Sequence, residues 1–362
     1  MSSKAYEDLS KLESELYTCT MCGFCKRVCP VFIDDNKDSA APRGRMTMAY
    51  GLISGQLKPD DELRDKLFQC TQCQDCMRRC PSNAACPDVV VAARREMILQ
   101  GSATPYQEQL VMNVKTTGNI YADHDENISK KSGETPFFVG CQYLSRPNSV
   151  KKIVKLLEKL NVDPEIMDES CCGFPLHVMG FKAEAEKQEE KLKDLLANSK
   201  DQVITVCPSC LKHIHEKTDT PAVHILQVID QKLAELTITK PLNAKVTYHD
   251  PCDLSRGADI TEEPRRILEH IGCELVEMEN NRKTSRCCGG GGGILTWDED
   301  LSMRMSIKRI SEARATGAEM LVTACPTCEQ NLKKGARIEA AENGTKALPI
   351  RHILDLLVKA SK

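Results

Sequence analysis

The chain lacks any stretch of about 18 consecutive apolar residues, so none of its 362 residues form a segment able to cross a bilayer as a helix. Neither sign of charge dominates: 49 Lys plus Arg stand against 52 Asp plus Glu, a formal net charge of −3. That balance sets up no field that favours an acidic lipid surface or nucleic acid, and no nucleic-acid partner is expected. Runs such as Lys151-Lys152 and Glu189-Glu190-Lys191 fall within apolar patterns of helical period and read as solvated helix faces. The stretch from Met1 to Leu16 is polar and has no apolar core of the kind a secretory signal needs. The expected location is a reducing cytoplasm, or the edge of a membrane reached through a partner subunit. The length leaves room for two or three domains, each with its own core.

Cysteine, by contrast, is abundant. Twenty cysteines would suggest disulfides in a secreted chain, but in a reducing compartment they suggest metal. Cys19, Cys22, Cys25 and Cys29-Pro30 form C-x2-C-x2-C-x3-C-P, and Cys70, Cys73, Cys76 and Cys80-Pro81 repeat it. Three cysteines at spacing three wrap one corner of a 4Fe-4S cubane, while the cysteine before proline reaches the other cluster in two-cluster proteins. The expected ligand sets are therefore crossed. One cubane takes Cys19, Cys22, Cys25 and Cys80, and the other takes Cys70, Cys73, Cys76 and Cys29. Structural zinc favours paired CxxC units far apart and fits this pattern poorly. Cys86 and Cys273 lie outside every motif and read as small buried hydrophobes.

Between the two motifs, Met46 to Leu67 reads largely helical with an interruption at Gly55, so residues 1–100 are expected to form a small helical domain. Residues 101–135 read as a linker around one short helix, with the polar runs Thr117-Gly118-Asn119 and Lys130-Lys131-Ser132-Gly133.

The remainder is an internal repeat. Phe137-Phe138-Val139-Gly140-Cys141 matches Val246-Thr247-Tyr248-His249 leading to Cys252, and Cys171-Cys172-Gly173 matches Cys287-Cys288-Gly289. Val203 to Cys210 matches Met320 to Cys328, and Val223-His224-Ile225-Leu226 matches Arg351-His352-Ile353-Leu354. Each copy reads strand, helix, strand, double cysteine, helix, strand, CxxC, helix. Alternation of this kind implies a parallel sheet, with the cysteines on the rim where such sheets place ligands. The expected architecture is α+β overall: the helical domain, then two α/β lobes at 136–240 and 241–362.

Each lobe offers five cysteines: Cys141, Cys171, Cys172, Cys207 and Cys210, then Cys252, Cys287, Cys288, Cys325 and Cys328. Five is one more than a cubane needs, and adjacent cysteines suit neighbouring irons of a larger cluster. Gly173, Gly289 and Gly290, the last two in a run to Gly293, let the backbone approach a cofactor and offer N–H groups to sulfide. No Gly-Lys-Ser/Thr follows that run, so it is not a phosphate loop.

On these motifs the helical domain resembles the two-cluster domain of succinate dehydrogenase iron-sulfur subunits and of the small ferredoxin-type subunit of heterodisulfide reductase. The repeated copies resemble the CCG domains of the cysteine-rich subunit of heterodisulfide reductase. Their combination is similar to the CCG-domain iron-sulfur oxidoreductase family. That family includes the heterodisulfide reductase subunit in which both modules are fused, and the iron-sulfur subunits of glycolate and lactate oxidases. Ala41-Pro42-Arg43-Gly44-Arg45 also resembles a segment of the glycolate oxidase subunits. The resemblance implies two noncubane 4Fe-4S clusters, one per five-cysteine set, besides the two cubanes. It implies that Cys171, Cys172, Cys287 and Cys288 flank a thiol disulfide, such as that of coenzymes M and B, that is cleaved between the lobes. It also implies a redox partner: an FAD-containing protein, a ferredoxin-like donor or a haem-bearing membrane subunit. The competing implication is a relay that forwards electrons from an FAD-dependent 2-hydroxy acid oxidase.

The copies differ: 29 residues separate Cys141 from Cys171 and 34 separate Cys252 from Cys287, and Phe174-Pro175 stands where the second copy has glycines. His177, five residues after Cys172, and His249, three before Cys252, lie close to the cysteine motifs, as structural residues or proton donors to a departing thiolate. His224 and His352 recur at matching positions, which points to a shared packing or capping role.

Overall fold

A computed structural model describes residues 6–122, 132–197, 199 and 202–361, so Met1–Ala5 and the Lys130-Lys131 pair lie outside the described residues. Among the described residues no helix is long and apolar enough to cross a membrane.

Proline and the cysteine motifs set the helix starts of the N-terminal domain. Pro30, Pro42 and Pro87 occupy the first turns of the helices Pro30–Asp35, Pro42–Ile53 and Cys86–Leu99, where the ring's fixed φ fits and no N–H is missed. Gly55, at φ +72°, ends the stretch read as one helix, and a second begins at Asp61–Phe68 with the Asp60 carboxylate accepting from Leu63 N at 2.8 Å. Leu9, Met46, Leu52, Leu67, Phe68, Val89, Val90 and Met97 close the core of this domain around the helix Cys86–Leu99.

Each lobe is a four-stranded parallel sheet. The first comprises β1 (Thr135–Phe138), β2 (Pro164–Ile166), β3 (Val203–Thr205) and β4 (Ala222–His224) in the order β2-β1-β3-β4. The second comprises β5 (Lys245–His249), β6 (Glu274–Leu275), β7 (Met320–Thr323) and β8 (Ile350–His352) in the order β6-β5-β7-β8. The fourth strand of each sheet goes beyond the pattern read from the repeat, because three residues are too few to display a period of two. The imidazoles of His224 and His352 accept from Leu226 N and Leu354 N, both at 3.3 Å, and so cap the helices that follow β4 and β8. One apolar cluster, including Phe137, Val206, Val246, Leu254 and Ile353, runs through both lobes.

The segment read as a linker is packed. Thr104 opens the helix Pro105–Thr117 with a capping box, and Leu110, Val111 and Val114 are buried against Cys171, Leu176 and Met179 of the first lobe.

One buried cation joins all three modules. The Arg94 guanidinium donates to the carbonyls of Leu67, Phe68 and Cys70 in its own domain, to Val178 of the first lobe at 2.6 Å and to Gly292 of the second at 2.8 Å. Burial pushes Arg94 down to about 10, so it still carries its charge at neutral pH. Arg94→Met keeps the volume but leaves these carbonyls without a donor, at about 1–3 kcal/mol for each one that stays dry. The expected result is a loss of at least ~3 kcal/mol, seen as a lower denaturant midpoint under anaerobic conditions, and an unchanged midpoint would contradict it.

Candidate metal centres

The two ferredoxin-type motifs lie side by side. Cys29, Cys70, Cys73 and Cys76 line one internal cavity, which brings the cysteine before Pro30 to the three cysteines of the other motif. Arg45, itself buried, donates to the Cys29 sulfur at 3.9 Å and to the Lys66 carbonyl at 2.7 Å. Arg43, from the same segment, donates to the Met21 carbonyl beside Cys22 at 3.1 Å. Residues Ala41 to Arg45 thus brace the first motif and tie it to the helix Asp61–Phe68 that leads into the second. On the other side, Ala85 N donates to the Glu15 carboxylate at 2.9 Å, which ties the loop after Cys80 to the helix before Cys19. Cys22 is exposed, whereas Cys29 and Cys73 are buried.

Cys86 is buried, as read, but it lines the same cavity and donates to the Pro42 carbonyl at 3.5 Å. Its chemical position was not legible, because nothing in its spacing marks it as facing the motif ten residues upstream.

In each lobe the central strands end at cysteines. Cys141 follows β1 and Cys207 follows β3; Cys252 follows β5 and Cys325 follows β7. The double cysteines enter from the loops after β2 and β6. In the first lobe, Cys210 and Cys172 are 3.6 Å apart at sulfur, and the Cys141 and Cys172 thiols donate to Cys171, which pushes that thiol well down. In the second lobe, the Cys287 and Cys328 thiols do the same to Cys288. Gly289 N and Gly290 N donate to the sulfurs of Cys287 and Cys288 at 3.3 and 3.4 Å. Gly173 and Gly289 take φ values of +94° and +83°, where a Cβ would press on the Ala185 and Ser302 carbonyls.

The rest of the glycine run does different work. A Cβ on Gly292 would fall 2.5 Å from the Thr71 backbone, and one on Gly293 would fall 2.7 Å from Met179. Gly292 therefore docks the second lobe on the second ferredoxin-type motif, and Gly293 docks it on the first lobe. Phe174-Pro175 opens the helix Phe174–Met179 at the matching place in the first lobe, and that helix meets the N-terminal domain through Arg94 and Arg95 instead, at the Val178 carbonyl and the His177 ring. The same docking brings the Cys73 and Cys287 thiols within hydrogen-bonding reach. Arg256 spans the junction, donating to the Cys73 carbonyl at 2.7 Å and to the Ser285 carbonyl at 2.8 Å. Trp297 stacks on Phe68 with centroids 4.4 Å apart.

The two five-thiol sets meet at a pseudo-symmetric seam. Gln142, which follows Cys141, accepts from Thr327 of the second CxxC at 3.0 Å. Asp253, which follows Cys252, accepts from Ser209 of the first CxxC at 2.6 Å. The hydroxyl inside each CxxC is thus held by the residue after the first cysteine of the opposite lobe.

Several polar residues around the sites have surroundings that the sequence did not disclose. Glu169 accepts from Val139 N at 2.7 Å and from Gly140 N, and burial pushes it up to about 8. Asn119 of the expected linker donates to the Cys141 carbonyl at 3.0 Å. Glu189, read from the sequence as part of a solvated helix face, is instead buried behind Gly173, because its carboxylate lies 3.5 Å from His177, 3.2 Å from His213 and 3.3 Å from Lys217. His249 accepts from Arg309 Nε at 3.1 Å, and burial and that cation push it down to about 3.

The donor sets fit iron-sulfur clusters. Burial pushes the Cys25 and Cys29 thiols up to about 11, so a bare thiolate would be unfavourable there and a cationic core is what would draw the protons off. Two cysteine sets on a helical domain and two more on facing α/β lobes define an iron-sulfur oxidoreductase subunit. A family model described as a 4Fe-4S dicluster domain matches residues 15–84, and the cysteine-rich CCG domain matches twice, at 135–215 and 246–333. The chain belongs to the CCG-domain iron-sulfur oxidoreductase family.

Its curated relatives include a subunit of the dihydromethanophenazine:CoB–CoM heterodisulfide reductase of Methanosarcina acetivorans, 28% identical over 89% of each chain. A fumarate reductase (CoM/CoB) subunit of Methanothermobacter marburgensis is 28% identical over 97% of this chain and 73% of its own. The "probable glycolate oxidase iron-sulfur subunit" of Bacillus subtilis is 25% identical over 96% of this chain and 95% of its own. Among solved structures, a hypothetical protein from Helicobacter pylori shares the fold, with a TM-score of 0.60 and 10% identity over all of this chain and 73% of that one.

Proposed function

We propose that this chain transfers electrons to, and reduces, a thiol disulfide of the CoM-S-S-CoB type. The observation that carries the reading is the seam: Gln142 with Thr327 and Asp253 with Ser209 turn the two five-thiol sets toward one another. A disulfide takes up two electrons and two protons to become two thiols, and iron-sulfur clusters deliver electrons singly. Two facing sites match that demand, one for each sulfur.

In this reading Cys19, Cys22, Cys25 and Cys80 hold one cubane and Cys70, Cys73, Cys76 and Cys29 the other, as the shared cavity of the latter four supports. Cys141, Cys171, Cys172, Cys207 and Cys210 hold one noncubane cluster, and Cys252, Cys287, Cys288, Cys325 and Cys328 the second. The Cys73–Cys287 approach is the crossing point for electrons between domain and lobe. Cys171, Cys172, Cys287 and Cys288 flank the reacting disulfide, and the Gly289 and Gly290 N–H groups steady the sulfurs beside it. His177, paired with Glu189, is a source of a proton for the first site in this reading. Two of the relatives carry coenzymes M and B in their names, which supports the substrate class.

The second reading, a relay from an FAD-dependent 2-hydroxy acid oxidase, draws on the Bacillus subtilis relative. The Ala41 to Arg45 segment does not favour it, because Arg43 and Arg45 serve the ferredoxin-type motifs under either reading. In both readings the partner is a redox subunit, FAD-bearing, ferredoxin-like or haem-bearing, and any membrane attachment comes through it.

The protein prepared anaerobically is expected to hold about 16 irons, four in each of four clusters. Supplied with a reduced low-potential dye, it should release two thiols for each heterodisulfide consumed. A preparation with about 8 irons would remove the CCG clusters, and zinc would end the reading. Full iron with no thiol release, together with reduction by a hydroxy-acid oxidase, would favour the relay.

A further inference from the structure

The second lobe places a histidine against its double cysteine. A ring nitrogen of His249 and the sulfurs of Cys288 and Cys328 all lie within 4.8 Å of one another, and all three residues are buried. His249 ends β5, three residues before Cys252; counted from Cys141, the same place in the first lobe is Phe138 at the end of β1. The lobes therefore differ in a residue that the repeat would make equivalent.

The His249 ring has a defined hydrogen. Arg309 Nε–H donates to Nδ1 at 3.1 Å, so Nδ1 presents its lone pair and the ring proton sits on Nε2. Arg309 is itself held by the Asn280 carbonyl, the Ser285 hydroxyl and the Glu312 carboxylate, which fixes the imidazole's orientation. No other hydrogen bond to that ring is present among the described residues.

The charges around the two sites differ as well. Near the second site stand the buried guanidiniums of Arg256 and Arg309. The position matching Arg256 in the first lobe is Ser145, and the one matching Ser285 is the buried Glu169. The buried Asp253 carboxyl bears on both sites, at Cys252 and at Cys207; beyond it the second site adds two guanidiniums and an N–H donor, and the first a phenyl ring and a second carboxyl group.

We propose that His249 donates Nε2–H to a sulfur of the second CCG site, a cysteinate or a cluster sulfide, and with Arg256 and Arg309 holds that site at a higher reduction potential than the first. This rests on the reading that each five-thiol set binds a noncubane cluster. Hydrogen bonds to sulfur and nearby positive charge stabilise the reduced state, which carries the extra electron. The higher-potential site is also the one that Cys73 touches, so the first electron to arrive rests there while the second follows.

The test is an EPR-monitored redox titration of the anaerobic holoprotein, with the second-site signal assigned by its absence from Cys287→Ala. In wild type that signal should titrate above the first-site signal. His249→Phe should keep wild-type iron and move the second-site midpoint down, while the first stays put. His249→Gln, which retains an N–H donor, should recover part of the shift. An unmoved midpoint in the phenylalanine variant would overturn the assignment, as would wild-type midpoints in the reverse order. Pulsed EPR of wild type labelled with ¹⁵N-histidine needs no variant. A weak nitrogen coupling at the second site is expected; a strong one would make His249 an iron ligand, and none would remove the contact, each refuting the proposal. Because these readouts need no disulfide, failure of disulfide turnover leaves them intact, whereas absence of iron from the site would sink the cluster reading itself.

Discussion

Cys287→Ala should abolish disulfide reduction and lower the iron content by about four, from about 16 to about 12, while the ferredoxin-type cubanes keep their spectra. The argument is geometric. Cys287 is buried, it donates to Cys288 and it meets Cys73 from the neighbouring domain, so its loss opens the second site at the point of electron entry. Cys171→Ala should do the same in the first lobe, where Cys171 accepts from both Cys141 and Cys172. A two-electron cleavage shared between facing sites requires both, so either variant alone should stop turnover with an artificial donor. Iron analysis, EPR and a thiol-release assay on each variant provide the check. Full turnover in both would mean that the disulfide is not cleaved between the lobes.

Cys29→Ala should impair the cluster of Cys70, Cys73 and Cys76, 41 or more residues away in sequence, and spare that of Cys19, Cys22 and Cys25. Cys29 lines the cavity with those three, and Arg45 reaches its sulfur there. Cys86 lines the same cavity and is the thiol best placed to substitute. The double variant Cys29→Ala/Cys86→Ala is therefore the stricter experiment, with a loss of about four irons expected. Selective loss of the Cys19, Cys22 and Cys25 signal would show instead that each motif serves its own cluster.

What was legible in the sequence was local or repeated. C-x2-C-x2-C-x3-C-P records a loop wrapped on one cluster, and the matched double cysteines expose the duplicated α/β unit because spacing survives where side chains do not. What was not legible depends on distant pieces of chain. Nothing around Arg94 signals that Val178 and Gly292 will supply its acceptors, 84 and 198 residues further on. The glycines from Gly289 to Gly293 read as one cofactor loop, yet only the first two face cysteine sulfurs and the later ones meet Thr71 and Met179. The stretch read as a linker was polar enough to pass for one, because its buried face is largely three residues, Leu110, Val111 and Val114, within thirteen.

The seam between the lobes has a consequence for ancestry. Had these lobes been two copies of one short chain paired around a dyad, every substitution near one site would have appeared at the other. Joined in tandem, they escape that rule. The contact is kept with different chemistry on its two sides, an amide with a threonine and a carboxyl with a serine. Phe138 and His249 can then part company while the halves stay in register, so a symmetric frame can house two unlike redox stations.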